Sequence, residues 1–198
     1  MNLSSYAELA VRLANTAVTA PHESDPLGSA TACNSALGDS LHGTITRRDL
    51  AVLRHLRQEF LAIFNAAAAG DDKSAMAKLN ALLVQFPIQP EMISHDDQRW
   101  HVHLAPQGCP ADRYGAGAII GVALMVSQFG VSRLGVCAIA SCPRVFIDAS
   151  PGRSRRYCTD HAARGNVSTL RSQPAISDKP SSTAAPGDLP GRATPAAS

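Results

Sequence analysis

The sequence predicts a mainly α-helical body that contains a small β-hairpin and is followed by a small C-terminal finger. Apolar residues recur every three or four positions over Leu50–Phe64, which is typical of a helix face packed on a core. Strict alternation over Trp100–Leu104 is typical of a half-buried strand. Three cysteines and a histidine follow within residues 137–161, a segment too short to build a core of its own.

The N-terminal part of the body is predicted to combine one helix with a long loop. Apolar residues repeat every four positions over Ser5–Val18, which indicates one helix face. Pro21–Gly43 is rich in Ser, Gly, Asp and Pro, so we expect a loop that carries the lone Cys33.

Two further helices are predicted. Thr46–Asp49 has the pattern of a capping box and starts a long helix. Arg54 and Arg57 are expected on the solvated face of this helix, opposite its apolar stripe. An aspartate at position 71 or 72 then caps a third helix, which ends before Pro87.

A hairpin and a last helix complete the predicted body. Met92–Ser94 is expected to pair with Trp100–Leu104, which leaves His101 and His103 on the outward face. Two histidines at this spacing can chelate a metal, although such a pair on an exposed strand is usually incidental. Asp112–Phe129 is predicted to be a central apolar helix. Its short connection to the finger predicts that finger and body pack together.

The finger has the spacing C-x4-C-x15-C-x2-H. Zinc prefers four soft ligands in a tetrahedral array, and paired ligands can reach one ion. The candidate zinc ligands are Cys137, Cys142, Cys158 and His161. Val145–Ile147 is predicted to form a strand between the two pairs. The alternatives are free buried cysteines beside an unrelated histidine, or a disulfide, which the absence of an export signal disfavours.

Further residues of this segment carry a family resemblance. They are Arg133-Leu134, Cys137, Cys142, Phe146, Asp148, Ser150, Arg155–Cys158, Arg164 and Asn166-Val167. In these positions the segment resembles the CGNR zinc finger at the C-terminus of bacterial ABATE-domain proteins, a family of stress-induced transcription regulators. The family motif ends in a fourth cysteine followed by Gly-Asn-Arg or Ala-Asn-Arg. Here His161 stands slightly closer to the preceding ligand and is followed by Ala162, Ala163 and Arg164, so it is the only local candidate for the fourth ligand.

The resemblance extends over residues 9–171 and includes an Asn-Thr pair after an apolar helix, here Asn15-Thr16. Two roles for Asn15 remain open. Its side chain is either a buried hydrogen-bonding anchor or a contact for a bound ligand.

Charge is distributed unevenly over the 198 residues, of which 45% are hydrophobic, as in a globular protein. Residues 1–132 carry 9 Lys/Arg and 12 Asp/Glu, whereas residues 133–171 carry 7 and 2. Such a basic segment either solubilises a small finger or forms a phosphate-binding face.

From Ser172 onward large apolar residues are almost absent, which predicts disorder. The predicted divisions are an ABATE-like helical domain at 1–132, a CGNR-like finger at 133–171 and a tail at 172–198.

The sequence shows no targeting segment. The N-terminus lacks a basic region followed by a long apolar stretch. The longest apolar run, Gly115–Val126, is too short to span a bilayer. We therefore expect a cytoplasmic protein with reduced thiols.

Two functions remain open at this stage. In the first, the chain is a DNA-binding transcriptional regulator whose body senses a signal or mediates association. The candidate DNA contacts are Arg153, Arg155 and Arg156 on the hairpin turn and Arg164 and Arg171 on the following helix. Arg155 and Arg156 are expected to carry nucleic-acid affinity rather than stability, unless one pairs internally with Asp148. In the second, a small-molecule-binding protein or protein-interaction module uses the finger only as a staple.

No enzymatic activity is predicted. A zinc site with four protein ligands leaves no position for a reactive water. The sequence also contains no Walker loop, no Gly-rich dinucleotide turn and no clear pair of nucleophile and base. We expect one zinc ion per chain, and we expect chelation to unfold the finger but leave the helical body largely intact.

Overall fold

The computed structural model describes residues 3–17, 23–86, 88–95, 99–105 and 107–162. The predicted tail from Ser172, together with Arg164 and Arg171, lies outside the described residues. Within these ranges the fold is a helical body with two small antiparallel hairpins. The helical body and its hairpin are as predicted. The prediction of a hairpin turn at Arg153, Arg155 and Arg156 was wrong, because Val145–Ile147 pairs with the preceding Leu134–Val136 and not with residues that follow it. The elements are α1 (Leu3–Ala14), α2 (Ala30–Leu37), α3 (Arg47–Ala68), α4 (Asp72–Gln85), β1 (Glu91–His95), β2 (Arg99–His103), α5 (Pro110–Phe129), β3 (Leu134–Val136) and β4 (Val145–Ile147).

Helices α1 and α5 pack closely at the centre of the body. A Cβ atom added at Gly121 would overlap backbone atoms of Tyr6 and Ala7, so only glycine allows this approach. The hydroxyl of Tyr114 on α5 donates a hydrogen bond of 2.8 Å to the carbonyl of Leu9 on α1. The small residues of α5 thus explain why this helix is central. In the part of the chain that is described, no helix is both long and apolar enough to cross a membrane.

The capping box of α3 is confirmed and also joins two helices. The Thr46 hydroxyl accepts from the Asp49 amide at 3.2 Å, and an Asp49 carboxylate oxygen accepts from the Thr46 amide at 2.9 Å. The other oxygen of Asp49 accepts from the Ala111 amide at 3.1 Å. Because Asp49 is only 1% exposed, this carboxylate fixes the start of α3 against the start of α5. Helix α5 begins at Pro110, before the predicted start, because Cys109 provides its N-cap.

The prediction of a continuous loop before α3 was wrong. Helix α2 occupies residues 30–37, and the Ser29 hydroxyl caps it by accepting from the Ala32 amide at 3.2 Å. Its Cys33 and Leu37 are fully buried in the core. Tertiary burial therefore stabilises a helix whose Ser- and Gly-rich surroundings hide its pattern. Helix α1 in turn ends at Ala14, earlier than the predicted Val18.

The prediction that Arg57 lies on a solvated face was also wrong. Its side chain is buried and donates to both carboxylate oxygens of Asp25 at 2.7 and 2.9 Å and to the Thr16 carbonyl at 3.2 Å. The neighbouring Arg54, with a side chain 42% exposed, donates to the Leu27 carbonyl at 2.6 Å. The segment around Asp25 and Leu27 thus covers the face of α3 that the sequence pattern assigned to solvent.

The β1–β2 hairpin has the predicted pairing, with Met92 opposite Val102 and Ile93 opposite His101. Trp100 is 70% exposed, so the outer end of β2 stands away from the core. The β3–β4 hairpin differs, because Leu134, Val145 and Ile147 are buried in the same apolar core as the helices. The finger therefore packs on the body, as the short connection predicted.

Candidate metal centre

Three thiols and one imidazole converge at the end of the β3–β4 hairpin. Cys137 directly follows β3, Cys142 precedes β4, and Cys158 and His161 lie at a helical turn that begins at residue 159. Their ligand atoms all lie within 4.8 Å of one another. The three cysteines are buried and His161 is partly exposed. Among the described residues, this is the only cluster of three or more potential metal ligands.

Backbone hydrogen bonds hold the two ligand pairs in place. The Cys142 amide donates to the Ile139 carbonyl at 2.9 Å, which closes the turn between the first two cysteines. The His161 amide donates to the Cys158 carbonyl at 3.1 Å, so the helical turn brings both ligands to one side. The Ala138 amide donates to the Arg156 carbonyl at 2.8 Å and ties the first pair to the second.

The distances between ligand atoms fit a tetrahedral metal site. Zinc bonds of about 2.3 Å to sulfur and about 2.0–2.1 Å to nitrogen imply edges of about 3.8 Å between sulfurs and about 3.6 Å between sulfur and nitrogen. The Cys142 and Cys158 sulfurs are 3.9 Å apart. The Nδ1 atom of His161 lies 3.4 Å from the sulfur of Cys137 and 3.5 Å from that of Cys158. The cluster can therefore hold one metal ion, and Nδ1 is the imidazole atom that lies nearest to the sulfurs.

The surroundings favour ionised sulfur at Cys137. Burial alone would raise the pKa of this thiol, but hydrogen bonds from the backbone amides of Cys158 and Ile139 and from His161 lower it to about 7. At Cys158, burial is the main cause of a raised pKa, and the nearby sulfurs of Cys137 and Cys142 add to it. A bound metal ion would offset the repulsion between neighbouring thiolates, because it binds sulfur in the thiolate form.

Comparison with protein families accounts for nearly all of the described chain. The ABATE family, described as "Putative stress-induced transcription regulator", matches residues 7–138. The chain belongs to the ABATE family. The CGNR zinc finger matches residues 133–173 and so includes all four ligands. No curated protein matches the chain as a relative. The two family matches overlap at residues 133–138, which include β3, the strand that lies in the core of the body.

Asp148 organises the turn that leads from β4 to the second ligand pair. This buried carboxylate accepts from the Ser150 amide at 2.8 Å and from the Arg155 amide at 3.1 Å. Burial opposes ionisation, but these hydrogen bonds lower the pKa of Asp148 below its ordinary value. Arg133 adds a bond of 3.1 Å to the Asp148 carbonyl and another to the Ser150 carbonyl. The sequence signal for Arg133 was its place in the family pattern.

Arg155 points into the finger rather than away from it. Its guanidinium donates to the carbonyls of Ile147 and Tyr157 and to the Thr159 hydroxyl, each at 3.1 Å. It also lies 5.0 Å from the centre of the Phe146 ring. These contacts favour a role for Arg155 in stabilising the finger, which the sequence left open for either Arg155 or Arg156. The Asp148 carboxylate accepts from the backbone amide of Arg155, whereas the guanidinium of Arg155 binds backbone and hydroxyl oxygens.

The remaining candidate DNA contacts differ in their surroundings. Arg153 and Arg156 are exposed, and Arg153 lies in the left-handed region with φ 51°, at the tip of the turn. Arg144, which the sequence did not single out, is also exposed and forms an ion pair of 2.9 Å with Asp160. Arg164 and Arg171 lie outside the described residues.

Asn15 joins the body to the finger. Its side-chain nitrogen donates to the Val145 carbonyl at 3.0 Å, and its side-chain oxygen accepts from the Val145 amide at 2.9 Å. Both polar atoms of the side chain thus pair with β4 across the interface, which is what the anchor alternative requires. The candidate metal-binding pair His101 and His103 lies on β2, where His101 is opposite Ile93 and His103 is opposite Glu91. The His101 side chain is outside the described part of the structure, so the pair stays untested as a metal site.

Proposed function

We propose that this ABATE-family chain is a DNA-binding transcriptional regulator in which one zinc ion holds a basic finger in shape. The observation that carries the proposal is the convergence of three thiols and one imidazole within 4.8 Å in the segment that follows the helical body. The family's description as stress-induced transcription regulators supports the same role.

Zinc is the ion that this ligand set suits best. Three sulfurs and one nitrogen at tetrahedral spacing form a common structural zinc site, and soft thiolates disfavour magnesium and calcium. Because the protein supplies all four ligands, no position is left for a reactive water, and we infer a structural rather than an enzymatic role. Thiolates persist under reducing conditions, so the proposal includes a cytoplasmic location.

The exposed arginines of the finger are the proposed phosphate contacts. Arg153 and Arg156 extend from a turn whose backbone is fixed by Asp148 and by the ligand Cys158. A positive side chain on a rigid turn can bind a phosphate without a large loss of conformational entropy. Arg164 and Arg171 remain proposed contacts on the segment that follows. Arg155 is proposed to support the finger from within.

The helical body is proposed to sense a signal or to mediate association. The competing function is a small-molecule-binding protein, or a protein-interaction module, in which the metal centre is only a staple. One observation favours a binding role for the body. It contains a cavity of about 670 Å³, a volume typical of small-molecule sites.

Elemental analysis tests the metal. Protein purified without chelator is expected to contain about one zinc ion per chain. A zinc content near zero, with another metal or none in its place, would contradict the proposed ion.

Salt-dependent DNA binding tests the regulator. Wild-type protein is expected to bind duplex DNA with an affinity that falls as salt rises, because each phosphate contact releases counterions. Arg153→Ala and Arg156→Ala are each expected to flatten the slope of log affinity against log salt by about 0.9. Arg47→Ala, at an exposed arginine on the body, is the matched control and should leave the slope unchanged.

Two other outcomes separate the alternatives. If Arg156→Ala weakens binding only to certain sequences, the residue reads a base edge rather than a phosphate. If the zinc-loaded wild type shows no salt-dependent binding to duplex DNA, the regulator proposal fails and the staple alternative stands.

A further inference from the structure

The helical body contains a cavity that shares no residue with the metal centre. It lies between α1, α5, β2 and the loop of residues 40–42, and its volume is about 670 Å³. We call it the body cavity. Pockets that hold small molecules commonly have volumes of about 300–1,000 Å³.

Most of the wall of the body cavity is apolar. Leu9 and Tyr114 contribute from the two central helices, and Val102 and Leu104 contribute from β2 and the residue after it. Tyr114 cannot offer its hydroxyl proton to a ligand, since it donates it to the Leu9 carbonyl at 2.8 Å. These walls would take up a hydrocarbon or an aromatic ring.

One side of the body cavity is cationic. Arg12 donates to the Leu37 carbonyl at 2.9 Å and to the Ser40 hydroxyl at 3.2 Å. Arg113 donates to the Gly108 carbonyl at 2.6 Å and to the His42 carbonyl. Both guanidinium groups therefore hold the same loop, and both line the cavity.

Neither arginine is neutralised by a described carboxylate. Among the side chains that the structure describes, no ion pair within 4.0 Å involves Arg12 or Arg113. Each guanidinium has five N–H donors, and the neutral oxygens that they bind use only some of them. Glu8 is the one acidic residue among the described lining residues, so the formal charge of the lining is positive. Backbone bonds hold the two cations in place, which lowers the entropic cost of binding an anion.

We propose that the body cavity binds a small apolar molecule that carries one acidic group, with the hydrocarbon against Leu9, Val102 and Leu104 and the acid against Arg12 and Arg113. The chemical class is that of aromatic or medium-chain organic acids. This inference deepens the sensing role proposed for the body. It is tested without DNA, so a failure of DNA binding and a failure of ligand binding are distinguishable.

Two fluorescent probes of the same ring system test this site on the full chain. Anilinonaphthalene sulfonate carries an apolar ring system and one acidic group, whereas phenylnaphthylamine has the rings without the acid. We expect saturable binding of the sulfonate with a stoichiometry of one per chain. Arg12→Gln and Arg113→Gln should each weaken the sulfonate by about tenfold, because each removes a charge-assisted contact, and should change the affinity for the neutral probe by less than about twofold.

A second variant separates lost binding from lost folding. His42 is exposed and lines the body cavity, and only its carbonyl takes part in the bond to Arg113. His42→Glu keeps that bond and adds a carboxylate beside the two arginines, so it should weaken the sulfonate selectively at an unchanged melting temperature. Arg47→Gln changes the charge on an exposed residue outside the cavity and should have no effect.

Three outcomes would overturn the proposal. The first is equal binding of the two probes, and the second is sulfonate binding that is unaffected by the Arg113 and His42 variants. The third is loss of sulfonate binding in Trp100→Ala with the cavity variants unchanged, because the exposed Trp100 would then be the site.

Discussion

The helical body and the ligand end of the finger, residues 137–142 and 157–161, are stabilised by different interactions. The body buries a continuous apolar core that includes side chains from all five helices. The buried cluster of the ligand end consists of Cys137, Cys142 and Cys158, with Tyr157 packed against it. Burial of so few side chains cannot offset the entropy of ordering the chain, so we expect the ligand end to depend on a bound metal ion for its fold.

The β3–β4 hairpin belongs to both regions. Its inner residues Leu134, Val145 and Ile147 lie in the core of the body, whereas the metal ligands begin immediately after Val136. The first residues of the finger are therefore stabilised by burial in the apolar core, and dependence on the metal ion begins only after Val136. For this reason we now expect loss of the metal to unfold the ligand end and also to weaken the body, while the helices remain.

The largest effect is expected at the metal centre. Cys158→Ser should reduce the metal content from about one ion to near zero and lower the free energy of unfolding by several kcal/mol, since structural zinc contributes about 10–16 kcal/mol to isolated fingers. Metal analysis and thermal unfolding measure both. Cys109→Ser is the matched control, because a serine hydroxyl can donate to the Asp112 carboxylate as the Cys109 thiol does, and the metal should stay bound. Loss of metal in both variants would contradict the assigned ligands.

A smaller effect is expected within the body at Asp49. Burial would raise the pKa of this carboxyl, but hydrogen bonds from Cys109, Thr46 and the Ala111 amide hold it at about 2. Asp49→Asn should lower the free energy of unfolding by about 3 kcal/mol at neutral pH, since one amide cannot accept from all of these donors. Denaturant titrations with chelator absent measure the change.

The effect of Asp49 should depend on pH in a defined direction. Because its pKa is lower in the folded state, its stabilisation is complete above the unfolded value of about 3.9 and is lost as the pH falls towards about 2. The difference between wild type and Asp49→Asn should shrink over that window. Asp71→Asn, at an exposed residue whose cap of α4 asparagine can also provide, should change stability much less than Asp49→Asn at every pH. A constant difference down to pH 2 would contradict the role assigned to the ionised carboxylate.

The contact between the body and the finger, formed by Asn15 and Val145, is expected to contribute less to the free energy of unfolding. Asn15→Leu removes both hydrogen bonds to Val145 and leaves two backbone groups of β4 without partners, at a cost of about 2 kcal/mol. Hydrogen exchange should show faster opening of β4 than in wild type. Asn80→Leu, at an exposed position on α4, should change stability little. Unchanged hydrogen exchange of the β4 amides in Asn15→Leu would mean that Asn15 does not stabilise the contact between body and finger.

The smallest effects separate the neighbouring arginines of the finger. Arg155→Ala should lower stability by about 1 kcal/mol because the contacts to Ile147, Tyr157 and Thr159 are lost. Arg156→Ala should leave the melting temperature almost unchanged, since the side chain is exposed. Equal melting temperatures for both variants would restore the view that Arg155, like Arg156, is available for DNA.

Much of the fold could be predicted because its signals are local. The capping box of α3, the pairing of β1 with β2 and the spacing of the metal ligands each depend on residues close in the chain. A ligand spacing also predicts its own geometry, since a helical turn brings Cys158 and His161 to one side whatever the rest of the chain does.

The errors arose where distant segments decide the outcome. Arg57 has the spacing of a solvated residue on α3, yet Asp25 comes from a segment 32 positions away and buries it. Helix α2 has a weak local pattern and forms because Cys33 and Leu37 fill the core. Neither the Arg57–Asp25 contact nor the burial of Cys33 and Leu37 can be read from the hydrophobic periodicity of the helix that is affected.

The sequence by itself determined the helical body, the β1–β2 hairpin and the pairing of the cysteines and the histidine along the chain, because short-range periodicity and spacing specify each of them. Only the tertiary structure decided that Asn15 pairs with Val145, 130 positions away, and that the guanidinium of Arg155 turns inward over Phe146. It also formed the cationic side of the body cavity, where α1 and α5 bring Arg12 and Arg113 to one loop. The physical reason is that such contacts depend on how the elements pack, which a pattern within one element does not encode.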